Sequence, residues 1–112
     1  MNNTYNISLD LHDNNTFSPI RLSQFDKGFQ IWFTITCDGE VFNCSNATAS
    51  FQMSNNNDIS KECSIVNNKV ILEIDEDITS IRGQFPYQIS ILSNNTKITT
   101  VTNYIEIRKG GG

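Results

Sequence analysis

Long apolar runs, clustered basic charge and histidine are what this sequence has least of, and each shortage removes a class of function. No apolar run approaches the roughly 20 residues needed to span a bilayer, so no membrane partner is expected. Eight Lys and Arg against twelve Asp and Glu leave a net charge of −4. The basic residues are scattered, with only Arg108 and Lys109 adjacent. Phosphate backbones are held by a basic stripe, so no nucleic-acid partner is expected. His12 is the single histidine, and the cysteines Cys37, Cys44 and Cys63 include no C-x₂-C pair, so the sequence suggests no zinc site. The nucleophile motif Gly-x-Ser-x-Gly is missing, and no Gly-rich loop leads from a strand into a helix to cradle phosphates. No cofactor and no enzymatic activity are expected.

The opening MNNTYNISLDL is polar and alternating, without a basic segment followed by an apolar one, and does not read as a secretory signal. The expectation is a chain that stays in a reducing compartment, its three cysteines free thiols; a Cys37–Cys63 bridge is the minority alternative. Asn-x-Ser/Thr sequons at Asn2, Asn6, Asn14, Asn43, Asn46 and Asn94 then follow from an Asn-, Ser- and Thr-rich composition, without glycosylation.

What is present is alternation. A chain of 112 residues with 38% hydrophobic and 18% charged side chains is one globular domain, too rich in Phe, Ile, Val, Leu and Tyr for disorder. Tyr5, Ile7, Leu9 and Leu11 share one face of a first strand, closed by the turn cluster His12-Asp13-Asn14-Asn15. Pro19 to Leu22 is a short extended segment. Phe29, Ile31, Phe33 and Ile35 alternate with Gln30, Trp32, Thr34 and Thr36 in the strongest strand. Asp38-Gly39 marks a turn, and Ala47, Ala49, Phe51 and Met53 form the next apolar face. Asn67-Asn68 joins the strand of Glu62 to Val66 to that of Lys69 to Ile74 as a two-residue hairpin. Asp75 to Ile81 makes one helical turn ended by Gly83. Phe85 to Ile91 and Lys97 to Arg108 complete the set, with Pro86 at an edge or a bulge.

Seven to eight short strands without a useful amphipathic helix predict an all-β protein, an immunoglobulin-like antiparallel β-sandwich. Its core includes Leu9, Phe29, Ile31, Phe33, Phe51, Leu72 and Ile89. Residues 1–108 form the domain, and 109–112 a flexible glycine-rich exit or the start of a linker. The immunoglobulin order of Cys, Trp and Cys is missing, because Trp32 precedes Cys37. Gly83 to Tyr87 has the spacing of a tyrosine corner, with Phe85 in the tyrosine's place.

Three places invite a chemical reading. Asp26, in Gln24-Phe25-Asp26-Lys27-Gly28, is read as a turn residue: Asp bonds nearby backbone and Gly takes the unusual dihedral. The acids Asp75, Glu76 and Asp77 lack the spacing of a calcium loop and suit a helix start. Trp32 is the exception, since alternation turns it outward with Gln30 and Thr34 as a candidate partner interface.

The run SPIRLSQFDKGFQIWFTITCDGEVFNCSNATASFQM resembles the opening of the N-terminal domain of phage baseplate upper proteins. Gln24, Asp26 and Gly28 match that family's handover between strands, Asp38-Gly39 its turn, and Ala47 to Met53 its later strand. Ile65 to Val70, Arg82 to Phe85 and Thr102 to Ile107 extend the resemblance over essentially the whole chain. Asn43-Cys44-Ser45-Asn46 departs from the Leu-Thr-Gly-like element the family carries before the small-residue strand. The resemblance implies an immunoglobulin-like sandwich in a virion structural protein, docking a peripheral receptor-binding arm onto the core of a tail baseplate. Its partners would be other baseplate or tail proteins, with receptor-binding protein engaged through downstream segments. It also implies assembly in the bacterial host cytoplasm; the isolated domain is expected to be monomeric. The competing reading is a carbohydrate- or cell-surface-binding sandwich in which Trp32 stacks on a sugar ring.

Overall fold

The predicted alternation folds into two facing sheets. The computed structural model describes residues 4–12, 20–93, 95–100 and 102–110. The sequons at Asn2, Asn14 and Asn94, most of the turn after His12, Pro19, and Gly111-Gly112 lie outside the described residues.

The described strands are β1 (Thr4–Asp10), β2 (Ile20–Ser23), β3 (Phe29–Cys37), β4 (Glu40–Val41), β5 (Thr48–Ser54), β6 (Asp58–Val66), β7 (Lys69–Ile74), β8 (Gly83–Ser93), β9 (Thr96–Thr99) and β10 (Asn103–Arg108). One helical turn, α1 (Glu76–Thr79), lies between β7 and β8. The path of paired strands runs β1-β3-β7-β6-β5-β8-β10-β2, with β4 added to β3 and β9 to β8. The long strand β6 joins the layers: Asp58 to Cys63 pair with β5, whereas Ser64 to Val66 pair with β7. The first sheet therefore holds β1, β3, β7 and the end of β6. The second holds the start of β6, β5, β8, β10 and β2.

Two pairings differ from the expected antiparallel arrangement. β1 runs parallel to β3, and β2 parallel to β10. Parallel neighbours need a long crossover connection, and each sheet supplies one through the other. The chain leaves β1, forms β2 at the edge of the second sheet, and returns to start β3 beside β1. Three further details differ. The expected last strand is two, β9 ending at Thr99 and β10 starting at Asn103. The two-residue β4 was not foreseen. The helical turn is closed by Ser80, and Gly83 opens β8 instead.

The inner faces carry Leu9, Ile31, Phe33, Ile35, Val70 and Leu72 from one sheet against Phe51, Tyr87, Ile89, Ile91, Ile105 and Ile107 from the other. Phe33 and Tyr87 meet across the layers at 6.2 Å between ring centres, and Tyr87 stacks on Phe51 at 5.5 Å. Burial pushes the Tyr87 phenol well up. Of the expected core, only Phe29 is half-buried, at the rim, where Tyr5 meets its ring edge-on at 5.4 Å. Ile78 of α1 is fully buried against the same core.

The turns follow their residues. Asn67 and Asn68 both take positive φ, 50° and 64°, as a two-residue hairpin whose twist matches its strands requires. Gly83 has φ 142°, and a Cβ there would lie 2.8 Å from the Phe85 ring; the ring at the place of the missing tyrosine rests on the glycine. Pro86 pairs with Tyr104 of β10, beyond the last pairing with β5 at Tyr87. Its lost N–H therefore falls where one side of β8 is open.

Candidate functional site

Along β3 the burial pattern keeps Ile31, Phe33 and Ile35 buried while Gln30, Trp32 and Thr34 are half-buried on the opposite face. The three candidate residues therefore share the outer face of the first sheet. Register places Asn6 of β1 on one side of Trp32 and Ile71 of β7 on the other, with Ser64 of β6 beyond. Neither neighbour of Trp32 along β3 is loose. The indole Nε1 donates to Gln30 Oε1 at 2.9 Å, and Gln30 Nε2 donates to Glu73 Oε1 at 2.6 Å. Lys69 Nζ donates to Thr34 Oγ1 at 2.7 Å.

Trp32 is thus outward, as alternation requires, but not the bare indole that alternation alone suggests. Ile71, its cross-strand partner, is only 6% exposed although it belongs to no part of the inner core. A large side chain on the outer face must cover it, and Trp32 is the residue opposite. Val66, 45% exposed, extends the apolar strip beside Lys69. Sequence reasoning missed Ile71, and the signal was there: Val70-Ile71-Leu72 breaks the alternation of its strand.

The segment Ser23 to Gly28 is the corner by which the chain crosses from the second sheet to the first. Asp26 Oδ2 accepts from Ser23 N at 2.9 Å, and Asp26 N donates to Ser23 O at 3.1 Å. Gln24 N donates to Arg108 O at 2.7 Å, and its side-chain Nε2 to Ser80 O at 2.8 Å. Thr79 Oγ1 donates to Asp26 O at 2.8 Å, and Gly28 N to Ile74 O at 3.1 Å. Gly28 sits at φ 82°, with nothing within 4 Å of where a Cβ would stand, so its conformation and not its space selects glycine. No second carboxylate is supplied by Asp10, which lies at the far end of β3, beside Thr36. Asp13 lies outside the described residues.

The acidic bend caps a helix start. Asp75 Oδ1 accepts from Ile78 N at 3.2 Å, the contact of an N-cap. Lys61 bridges Asp75 and Asp77 at 2.9 and 2.8 Å, and Lys27 pairs with Glu76 at 2.9 Å. Hydrogen bonds to these carboxylates hold the Lys61 ammonium above its usual range, and Glu76 does the same for Lys27.

All three cysteines are free thiols in the structure. Burial pushes the Cys63 thiol up to about 12 and raises that of Cys44. Desolvation raises that of Cys37, reinforced by Asp38, Asp10 and Glu40. His12 Nδ1 stands 3.7 Å from Cys37 Sγ and 3.6 Å from Asp38 Oδ1. One imidazole nitrogen faces both groups, whereas a nucleophilic relay needs thiol and carboxylate on different nitrogens. A reactive thiol also needs a lowered pKa. The trio is not arranged as a Cys-His-Asp nucleophile.

Among the described residues, no helix is long and apolar enough to cross a membrane. No family model matches the chain, and no curated protein matches it in sequence. Among solved structures, the N-terminal domain of phage TP901-1 ORF48 superposes with a TM-score of 0.73 at 14% sequence identity, covering 95% of this chain and 98% of that one. At that identity the likeness is one of fold: this all-β sandwich has the architecture of a phage protein's N-terminal domain.

Proposed function

We propose that the chain is a non-enzymatic structural module of a phage virion, docking a peripheral receptor-binding arm onto the core of a tail baseplate. The observation that carries this reading is the end-to-end likeness in fold to a phage N-terminal domain of nearly the same extent. It agrees with the independent resemblance of the sequence to the N-terminal domain of baseplate upper proteins. Gln24, Asp26 and Gly28 are, in this reading, the family's handover, and their role is to turn the chain between sheets.

The contact surface in this proposal is the outer face of the first sheet. Trp32, Gln30 and Thr34, held by side-chain hydrogen bonds, present there with the exposed Val66 an aromatic and aliphatic strip that lies over the buried Ile71. A fixed aromatic is a favourable anchor because little side-chain freedom remains to be lost on binding. Partners are other baseplate or tail proteins met during assembly in the host cytoplasm, and the domain by itself is a monomer.

The sugar-binding alternative is less well supported. A sugar platform needs a second aromatic and a free carboxamide beside the first. Among the described residues that register places on this face, Trp32 is the one aromatic, and the Gln30 amide already bridges the indole and Glu73. The test mixes the monomeric domain with purified baseplates lacking it, and separately with host-wall saccharides, following Trp fluorescence and co-sedimentation. Saturable co-sedimentation with baseplates and no response to saccharides supports docking. A saccharide-dependent fluorescence shift without baseplate binding overturns it.

A further inference from the structure

The parallel pairing of β1 with β3 brings the C-terminal ends of both strands to the same place, with Asp10 opposite Thr36. An antiparallel pair would have separated them. The two chain segments that leave this point are then tied together by one buried carboxylate. Asp10, 2% exposed, accepts from Thr36 Oγ1 at 2.6 Å and from Gly39 N at 3.1 Å through Oδ1, and from His12 N at 3.0 Å through Oδ2. The backbone turn at Asp38-Gly39 and the turn at His12 are thereby held in a fixed relation. From them project three donors of different kinds, His12 Nδ1, Cys37 Sγ and an Asp38 carboxylate oxygen, all within 4.8 Å of one another.

Those separations have a chemical meaning. In a tetrahedral zinc site with Zn–N of about 2.0–2.1 Å, Zn–S of about 2.3 Å and Zn–O of about 2.0–2.2 Å, the N···S edge is roughly 3.5 Å and the N···O edge roughly 3.4 Å. Here they are 3.7 and 3.6 Å, a few tenths of an ångström wider. His12 and Asp38 have side chains 65% and 75% exposed, free to close that difference and open to entry from solvent. A mixed nitrogen, sulfur and oxygen set suits zinc and its neighbours over the hard cations calcium and magnesium. Asp10 and Glu40 add negative charge around it.

We propose that His12, Cys37 and Asp38 form a binding site for a divalent transition-metal ion of the zinc type, with a fourth position left for water. The bound ion would clamp the turn after β1 to the turn after β3, fastening the parallel edge of the first sheet. The sequence suggested no metal, having one histidine and no C-x₂-C pair; His12 and Cys37 lie 25 positions apart, and the parallel register closes that gap. The inference rests on this geometry alone and stands or falls independently of the docking role.

The test is a cobalt titration of the reduced domain, followed by displacement with zinc. One equivalent of cobalt is expected to give a thiolate-to-metal charge-transfer band and the intense visible bands of a tetrahedral ion, both abolished by zinc. In Cys37→Ser the charge-transfer band disappears. In His12→Ala zinc affinity falls by more than the roughly 10–100-fold typical of losing an outer-shell partner. Cys63→Ser retains both bands, and far-ultraviolet circular dichroism confirms that each variant is folded. Zinc should also raise the melting temperature of the parent and not of Cys37→Ser. Absence of stoichiometric binding by the parent, or a charge-transfer band that survives Cys37→Ser, overturns the assignment.

Discussion

Removing the Asp26 carboxylate asks whether that residue is a turn element, and the structure supplies a magnitude. Its Oδ2 accepts from Ser23 N at 2.9 Å at the corner between sheets. Hydrogen bonds to charged groups contribute about 1.5–3 kcal/mol, and capping contacts of this type about 0.5–2 kcal/mol. The site is only partly buried, so about 1.5 kcal/mol is expected for Asp26→Ala. With an unfolding entropy of about 2.1 cal/mol/K per residue, 112 residues give about 0.24 kcal/mol/K. The loss then lowers the melting temperature by roughly 6 °C. Asp26→Asn keeps a side-chain oxygen in place and should lose less than half of that. Thermal unfolding followed by circular dichroism in the β-sheet region reads both. A melting temperature for Asp26→Ala unchanged within a degree, or Asn and Ala variants equally destabilised, refutes the reasoning.

Phe33→Ala, at a fully buried position facing Tyr87, should cost on the order of 3–5 kcal/mol, measured by urea unfolding; a cost under 1 kcal/mol would mean the layers do not pack there. All three thiols should react with a thiol reagent after denaturation of freshly purified protein, and a single reactive thiol would reveal a disulfide. The Cys63 thiol, pushed from 9.0 to about 12 by burial, ionises more readily in the unfolded chain. Its contribution is therefore whole below pH 9 and lost as pH rises from there toward 12. The slope approaches about 1.4 kcal/mol per pH unit, and Cys63→Ala should show a correspondingly shallower loss across that window.

Much of the fold was legible because side-chain alternation reports directly which face of a strand is buried. Every expected core residue lies on an inner face, Phe29 at its rim. Which distant strands pair, and in which direction, is not written in any local pattern. That is why both parallel pairings escaped, and why His12 and Cys37 could not be seen as neighbours. The passage of β6 from one sheet to the other is silent for the same reason, since its alternation continues without interruption. At the candidate surface, the outward turn of Trp32 was legible from Phe33 and Ile31 beside it. Its half-buried state was not, because it depends on Ile71 from the neighbouring strand and on the amide of Gln30.

The most direct test of the docking account compares stability and assembly in Trp32→Ala. Complete burial of a tryptophan is worth roughly 3–5 kcal/mol against alanine. A half-buried indole lying opposite Ile71 should cost about 1–2 kcal/mol of stability, leaving the domain folded at assembly temperature. Incorporation of the folded variant into baseplates, quantified from purified tails, should fall by a further 2 kcal/mol or more, roughly 30-fold. Wild-type incorporation by a folded Trp32→Ala domain would contradict the account, and would leave Trp32 as a cover for Ile71 and nothing more.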